Sequence, residues 1–525
     1  MTKNRNDRNA AVIGSALAEV LLETDKYWWQ VPHLLKLNLL LIVPMLSSSV
    51  FGYDASLMNG LQSLEQWKEY FHHPEGALLG TVVAAQSIGS LVALPFVGDF
   101  CDRFGRKPVL LAGIVIICIS AAIQAASVNL AMLIVTRVLV GIGGMFSSQP
   151  SPMLIAELAY PTHRGKYTSA YWTLFYLGSI LSSWLTYGTE SMSGSWSWRL
   201  PSLLQAGYPL VQLVFFWWVP ESPRWLVAKD RHREAALILQ KYHAGIDDLS
   251  ANLSPLVAAE MSEITQAIEM QREAHQTSWY ALIATPGNRK RTIIALCVGG
   301  FAQWNGVSVV SYFLNLVLNS VGITSSKTQT LINGLLQLFN FAAAIGAAFL
   351  VDRLGRRTLF LWSSIGMLIS YIIWTACSAL NVERDNKAAG IVVIVCVFVV
   401  FFHYDIAWTP LLLGYPTEIF PYHLRSKGLA VEMICVYGCL VIAAYCNPIG
   451  LENIGWKYYT VFVAFLVIIS STVYFYFPET RGYSLEEIAV VFDGPEAAGV
   501  TLSAAKDGGL DVNTVDNVEN NDTRV

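Results

Sequence analysis

Asp102-Arg103-Phe104-Gly105-Arg106-Lys107 returns about 250 residues later as Asp352-Arg353-Leu354-Gly355-Arg356-Arg357. Two further pairs keep nearly the same offset. Glu157-Leu158, followed by Pro161 and Arg164, returns as Glu418-Ile419, followed by Pro421 and Arg425. Pro220-Glu221-Ser222-Pro223-Arg224 returns as Pro478-Glu479-Thr480-Arg481-Gly482. Three charged motifs repeated in one order mark a chain made of two related halves. The stretches between the motifs are long apolar blocks. A helix needs about 20 apolar residues to cross a bilayer, and blocks of that size predict twelve helices. They fall at about 36–60, 77–98, 108–128, 131–155, 167–187, 201–219, 293–318, 329–350, 358–380, 389–413, 428–448 and 458–477.

Composition agrees. The 525 residues are 54% hydrophobic and only 14% charged, where a soluble domain carries about 25% charge. The net charge of -4 offers nothing to a polyanion, so no nucleic-acid partner is expected. Seven of the eight cysteines sit in apolar blocks and Cys101 in a short charged loop, without metal spacing. They read as small buried hydrophobes, and neither a metal nor a cofactor is expected. The first apolar block follows a polar stretch of about 30 residues with no cleavage site after it, so the first helix is expected to be its own insertion signal.

Basic residues set the orientation. One set of loops holds Arg103, Arg106, Lys107, Arg164, Lys166, Arg353, Arg356, Arg357, Arg425 and Lys427. The opposite loops hold Lys68, Arg199, Lys327, Arg384, Lys387 and Lys457. The richer set, joined by the basic central segment, is expected in the cytoplasm with both termini. The expected organisation is an N-terminal tail (1–35), a six-helix bundle (36–220), a cytoplasmic helical linker (221–291), a second bundle (292–480) and a C-terminal tail (481–525). The tail after about 495, rich in Gly, Asp and Asn, reads as disordered. The triplets Asn252-Leu253-Ser254 and Asn521-Asp522-Thr523 match a glycosylation acceptor by chance, since both fall on the cytoplasmic side. A solute site between two such halves would lie near mid-membrane.

Four motifs, Gly98 through Lys107, Pro220 through Arg224, Asp352 through Arg357 and Pro478 through Gly482, carry a resemblance to the sugar porters of the major facilitator superfamily. It runs from about 36 to 490. Tyr404-Asp405-Ile406-Ala407-Trp408-Thr409-Pro410 and Asn447-Pro448, with Leu451 to Tyr459, resemble the fungal lactose-permease-like subgroup. The resemblance implies an all-α membrane protein with the major facilitator fold, acting as a monomer. It implies a secondary transporter whose partners are a sugar-like solute, protons and the lipid bilayer.

Asp54 lies within the first helix and Arg137 within the fourth. A carboxylate in lipid costs several kcal/mol unless it faces a cavity and a partner. Counting along both helices places the two at similar depth in the outer half, within pairing distance. The resemblance implies that Asp54 takes up and releases a proton as it leaves and rejoins Arg137. The competing reading is an interfacial aspartate with Arg137 snorkelling outward. Asp405, His403 and Glu432 are further charges in apolar blocks. Asp405 is a candidate for lining the cavity, whereas Glu432, one turn into its helix, is expected at the interface. The loop charges Arg103, Glu157, Arg164, Glu221, Arg353, Glu418, Arg425 and Glu479 are expected to latch the cytoplasmic ends of the bundles, with ordinary solvated loop charge as the competing reading.

A sugar needs amides for its hydroxyls and aromatic faces for its ring. Gln303, Asn305, Ser308 and Tyr312 on the seventh helix, with Asn333 and Asn340 on the eighth, supply such groups, interhelical hydrogen bonding being the alternative use. By motif, Gln303 matches the family's second helix-seven glutamine and Asn340 its helix-eight asparagine. Elsewhere the chain departs from that pattern. Ala302 replaces the first glutamine, Ser308 stands for an asparagine, Trp172 replaces the helix-five glutamine, and Val436-Tyr437 replaces asparagine–tryptophan. Amides are lost and aromatic surface is gained, which points away from a simple hexose toward a disaccharide, a glycoside or a more apolar solute. The rivals to sugar import are export of a secondary metabolite and a non-transporting sensor. The short tail after the last helix opposes the sensor. No nucleophile–base or metal constellation marks an enzyme.

Overall fold

The computed structural model describes residues 20–21, 27–247, 253–275, 278–481 and 485–493, without the side chains of 169, 270–275, 348–353, 422 and 485–487. Among the described residues nine helical segments are long and apolar enough to cross a membrane. They are Pro32–Ser63, Gly76–Phe104, Arg106–Ala125, Leu130–Leu158, Pro286–Ser320, Ser326–Ala347, Arg356–Arg384, Lys387–Ile419 and His423–Tyr476. The last is two passes, Tyr422–Ile454 and Tyr459–Tyr476, joined by a tight 3-10 turn. Two further passes are broken helices: Arg164–Thr173 with Phe175–Thr189, and Trp196–Leu204 with Gly207–Phe215. The twelve passes, numbered here spans 1 to 12 in chain order, form two six-helix bundles with a helical linker between them. The long helices overrun the predicted blocks at several ends, by about two turns at Pro286 and at both ends of Tyr422–Ile454.

The repeated motifs explain how one span hands over to the next. Gly105 and Gly355 end spans 2 and 8 with φ of +102° and +87°. That conformation favours glycine. Each glycine also lies against a distant carboxylate: a Cβ on Gly105 would sit 2.5 Å from Glu221, and one on Gly355 2.6 Å from Glu479. Those carboxylates cap the next span. Glu221 accepts the backbone N–H groups of Arg106 (3.1 Å) and Lys107 (3.2 Å), and Glu479 accepts those of Arg356 (2.8 Å) and Arg357 (3.1 Å). Anions at a helix start satisfy its free N–H groups and face the positive end of its dipole. Burial pushes the Glu221 carboxyl above its ordinary range, against the pull of these N–H groups.

Span 7, expected as one helix, divides into Pro286–Trp304 and Val307–Ser320. Gly306 lies between them at φ +97°, its carbonyl accepting the Tyr371 hydroxyl at 2.8 Å. The face opposite the basic loops, the far face, is sealed across the halves. The Asn59 amide of span 1 donates to the carbonyls of Val310 (3.0 Å) and Ser311 (2.6 Å) and accepts Leu314 N–H at 3.1 Å. Gln62 donates to Tyr312 O at 2.9 Å, and Asn315 to Gln62 O at 3.3 Å.

The linker contains Pro223–Ala228, His232–Leu239 and Pro255–His275. It docks on the first bundle through His243, whose Nδ1 lies 2.9 Å from both Glu260 oxygens and whose Nε2 lies 3.1 Å from the carbonyl of Leu158 at the end of span 4. Both side chains are buried. Removing the acceptor orphans a buried donor, at about 1–3 kcal/mol. Glu260→Ala is therefore expected to lower the apparent melting temperature of the purified protein and speed proteolysis of the linker. Unchanged melting and proteolysis would show that the pair does not hold the linker.

Candidate functional site

Spans 1, 2, 3, 4 and 6 bring together a buried polar chain. Asp54 and Arg137, each 1% exposed, face each other with Oδ2–Nη2 at 3.3 Å and Oδ1–Nη1 at 3.4 Å. Arg137 Nε also donates to Val82 O at 2.9 Å. Gln205 Nε2 donates to Asp54 Oδ1 at 2.8 Å, and its own Oε1 accepts Gln124 Nε2 at 3.3 Å. Gln205 and Gln124 were not singled out in the sequence. The signal was available: an amide inside an apolar span needs a partner, and Gln205 falls at the break in span 6. The charges stay in one half, so their state can change without moving the other half.

The amides of spans 7 and 8 divide by what they already hold. Asn305 gives its Oδ1 to the helix break, accepting Val307 N–H at 3.1 Å, while among the described residues its Nδ2 is buried without an acceptor. Ser308 is tied into the second bundle: it donates to Gln303 O at 3.0 Å and accepts Asn447 Nδ2 at 3.2 Å, and Asn447 in turn accepts Tyr458 Oη at 3.0 Å. Asn333 reaches across the halves to Ser56 Oγ at 3.4 Å and accepts Gln337 Nε2 at 3.3 Å. Gln303 and Asn340 are the two with neither end of the amide committed. Among the described residues the Gln303 amide makes no hydrogen bond, and Asn340 Oδ1 is buried without a donor. Tyr312 is half-buried against the span 1 seal. Trp172 stands 43% exposed on span 5 with its ring edge-on to Tyr171.

Asp405 is fully buried between the halves. The Tyr176 hydroxyl of span 5 and Thr409 Oγ1 (3.0 Å) both donate to its Oδ1, while Oδ2 has no partner. His403 Nδ1 lies 2.8 Å from Val399 O on its own helix. Glu432, expected at the interface, is wholly buried with both oxygens unpartnered. Its position follows from span 7, where Gly299 leaves room: a Cβ there would approach the Glu432 backbone at 3.0 Å.

The loop charges make pairs inside each half. Arg106 binds Glu157 at 3.1 Å and Arg356 binds Glu418 at 2.9 Å. Neither pair crosses between the bundles, and Glu221 and Glu479 serve as helix caps. Arg103 is exposed over the Phe104 ring, and Arg164 and Arg425 are half-buried. The Arg353 side chain lies outside the described residues. Among the described residues no three His, Cys, Asp or Glu converge as metal ligands would.

The family model described as "Sugar (and other) transporter" matches residues 40–492. The MFS-type transporter oryC of Aspergillus oryzae is 31% identical over 474 residues, covering 86% of this chain and 85% of that protein. The sugar transporter STL1 of Saccharomyces cerevisiae is 28% identical over 466 residues, covering 86% and 80%. In structure, the inward-open conformation of the xylose transporter XylE from E. coli is similar with a TM-score of 0.72, at 24% identity, covering 87% of this chain and 100% of that one.

Proposed function

This chain belongs to the sugar (and other) transporter family, a multi-pass membrane transporter and not an enzyme, and from that premise we propose that it carries a sugar-like solute across the bilayer coupled to protons. The observation that carries the reading is the Asp54–Arg137 pair, buried in one half where no solvent compensates either charge. Proton binding to Asp54 would remove the attraction to Arg137 and release the pair. The relatives support the cargo: STL1 is a sugar transporter and XylE a xylose transporter by their descriptions.

The basic face is cytoplasmic in this proposal, with both termini on it, and the membrane is the plasma membrane. The chain works as a monomer, since both halves of the pathway lie in it. The structure then has its outer side closed. The seal consists of five hydrogen bonds from Asn59, Gln62 and Asn315. Each is worth about 1 kcal/mol net, so the seal is a bias of a few kcal/mol that solute and proton binding can reverse. On the cytoplasmic side Arg106 and Arg356 each hold a carboxylate of their own half, which leaves those two pairs free to part from the opposite bundle when the cavity opens inward.

Gln303 and Asn340 offer the solute their uncommitted amides, with Trp172 and Tyr312 as ring surfaces and Asp405 as an acceptor at the junction of the halves. Asn305, Ser308 and Asn333 shape the site by holding the break in span 7 and the contact with span 1. Loss of one solute hydrogen bond costs about 1 kcal/mol, a factor of about 5. Gln303→Ala is therefore expected to raise the KM for uptake about 5- to 10-fold at unchanged surface expression. An unchanged KM would remove Gln303 from the site.

The experiment that tests the cargo is uptake by transporter-null cells offered labelled glucose, lactose and cellobiose. Uptake of at least one, with a disaccharide favoured by the aromatic surface, is expected. Uptake of none would favour the second reading, export of a less polar metabolite, which the replaced amides and Trp172 support.

A further inference from the structure

A cavity of about 580 Å³ lies at the far face, between the span 1–2 connection of the first half and the ends of spans 7, 11 and 12 of the second. That volume suits a drug-sized ligand. None of Gln303, Asn305, Asn333 and Asn340 lines it. Gln62, Trp67 and Asn315 line it, each more than nine-tenths buried, and each retains a polar atom with no partner: Gln62 Oε1, Trp67 Nε1 and Asn315 Oδ1. Buried polar atoms left unpaired are rare and call for a ligand or water. The two amides have spent their donors on the seal between the halves, so what they leave over are acceptors.

Charge points the same way. Of the lining carboxylates, Glu65 is paired with Lys68 at 3.3 Å. Glu75 and Glu452 come from opposite halves and have no such partner among the described residues, and Glu452 Oε2 reaches within 2.5 Å of where a Cβ on Gly76 would lie. His73 and Tyr459 are the remaining titratable groups on the wall. We propose that this cavity is a second ligand site, for a polyhydroxylated amine such as an amino sugar, and that its occupation holds the outer side closed. Both walls are needed to form it, and they meet only while Gln62 and Asn315 join the halves. A ligand that binds one state alone shifts the population toward it. The site thus acts as an external brake on transport. That the far face is external rests on the orientation proposed above.

The test starts with calorimetric binding of glucosamine, N-acetylglucosamine and glucose to the purified full-length protein. Glucosamine binding, weakened at least tenfold in the double variant Glu75→Gln/Glu452→Gln and not matched by the two neutral sugars, is expected. Absence of glucosamine binding, or binding unaffected by the double variant, overturns the proposal whatever the protein transports. In cells, external glucosamine is expected to lower the Vmax of solute uptake severalfold at constant KM, and the double variant to keep its basal uptake and lose this inhibition. A rise in KM at constant Vmax would place the amine in the central site and overturn the brake. Should no transported solute be found, the calorimetry still decides the site.

Discussion

Asp54→Asn is expected to abolish uphill accumulation while leaving downhill exchange of solute in place. Asparagine keeps the shape and can still accept from Gln205 and Arg137, yet it cannot carry a proton. A gradient of one pH unit supplies about 1.4 kcal/mol per proton, and 100 mV of membrane potential adds about 2.3 kcal/mol. One coupled proton can therefore sustain a solute ratio of up to about 500-fold, each 1.4 kcal/mol being a factor of ten. In the variant the steady-state ratio of internal to external solute falls to about 1. Labelled solute in energised cells, with and without a protonophore, measures that ratio, and counterflow measures the exchange. Accumulation by the variant at both low and high external pH would remove Asp54 from the coupling. The effect is large because the aspartate has no stand-in nearby: its neighbours Gln205 and Arg137 are donors that do not exchange protons with solvent.

The second large effect concerns the seal between the halves. Asn59 Nδ2 and the Ser311 carbonyl, 2.6 Å apart, belong to opposite bundles on the far face. Joining these positions covalently should stop transport altogether, since a cross-link worth tens of kcal/mol replaces a seal worth a few. With Asn59→Cys/Ser311→Cys, a short, cleavable thiol cross-linker is expected to arrest uptake, and reductant to restore it. The cross-linker should arrest neither single variant, since none of the eight native cysteines lies in spans 1 or 7b, the half-helix Val307–Ser320. Persisting uptake in fully cross-linked protein would mean that the solute does not pass between the halves.

Much of this was legible in the sequence. Long apolar blocks fix the spans because the bilayer leaves helices few alternatives, and the repeat of Asp102–Lys107 at Asp352–Arg357 announces two bundles. Depth counting along spans 1 and 4 was enough to bring Asp54 and Arg137 together. What was hidden depends on neighbours far away in the chain. The break in span 7 at Gly306 rests on Tyr371 of span 9. Glu432 looked interfacial by its distance from a helix end, yet Gly299 of another span admits it to the interior. The carboxylates of Glu221 and Glu479 read as latch charges, because a cap supplied from more than 100 residues away leaves no local pattern. Ser308 and Asn305 read as solute ligands by type. Their hydrogen bonds to Asn447 and to the backbone of Val307 could be seen only once the helices were packed.

The most direct measurement of proton-coupled transport is made on purified protein in liposomes with a trapped pH indicator. Adding the solute that cells take up, with no imposed gradient, should acidify the lumen of vesicles carrying the protein, and Asp54→Asn should remove that signal. Solute entry with no accompanying proton movement in the unaltered protein would contradict the coupling at its root.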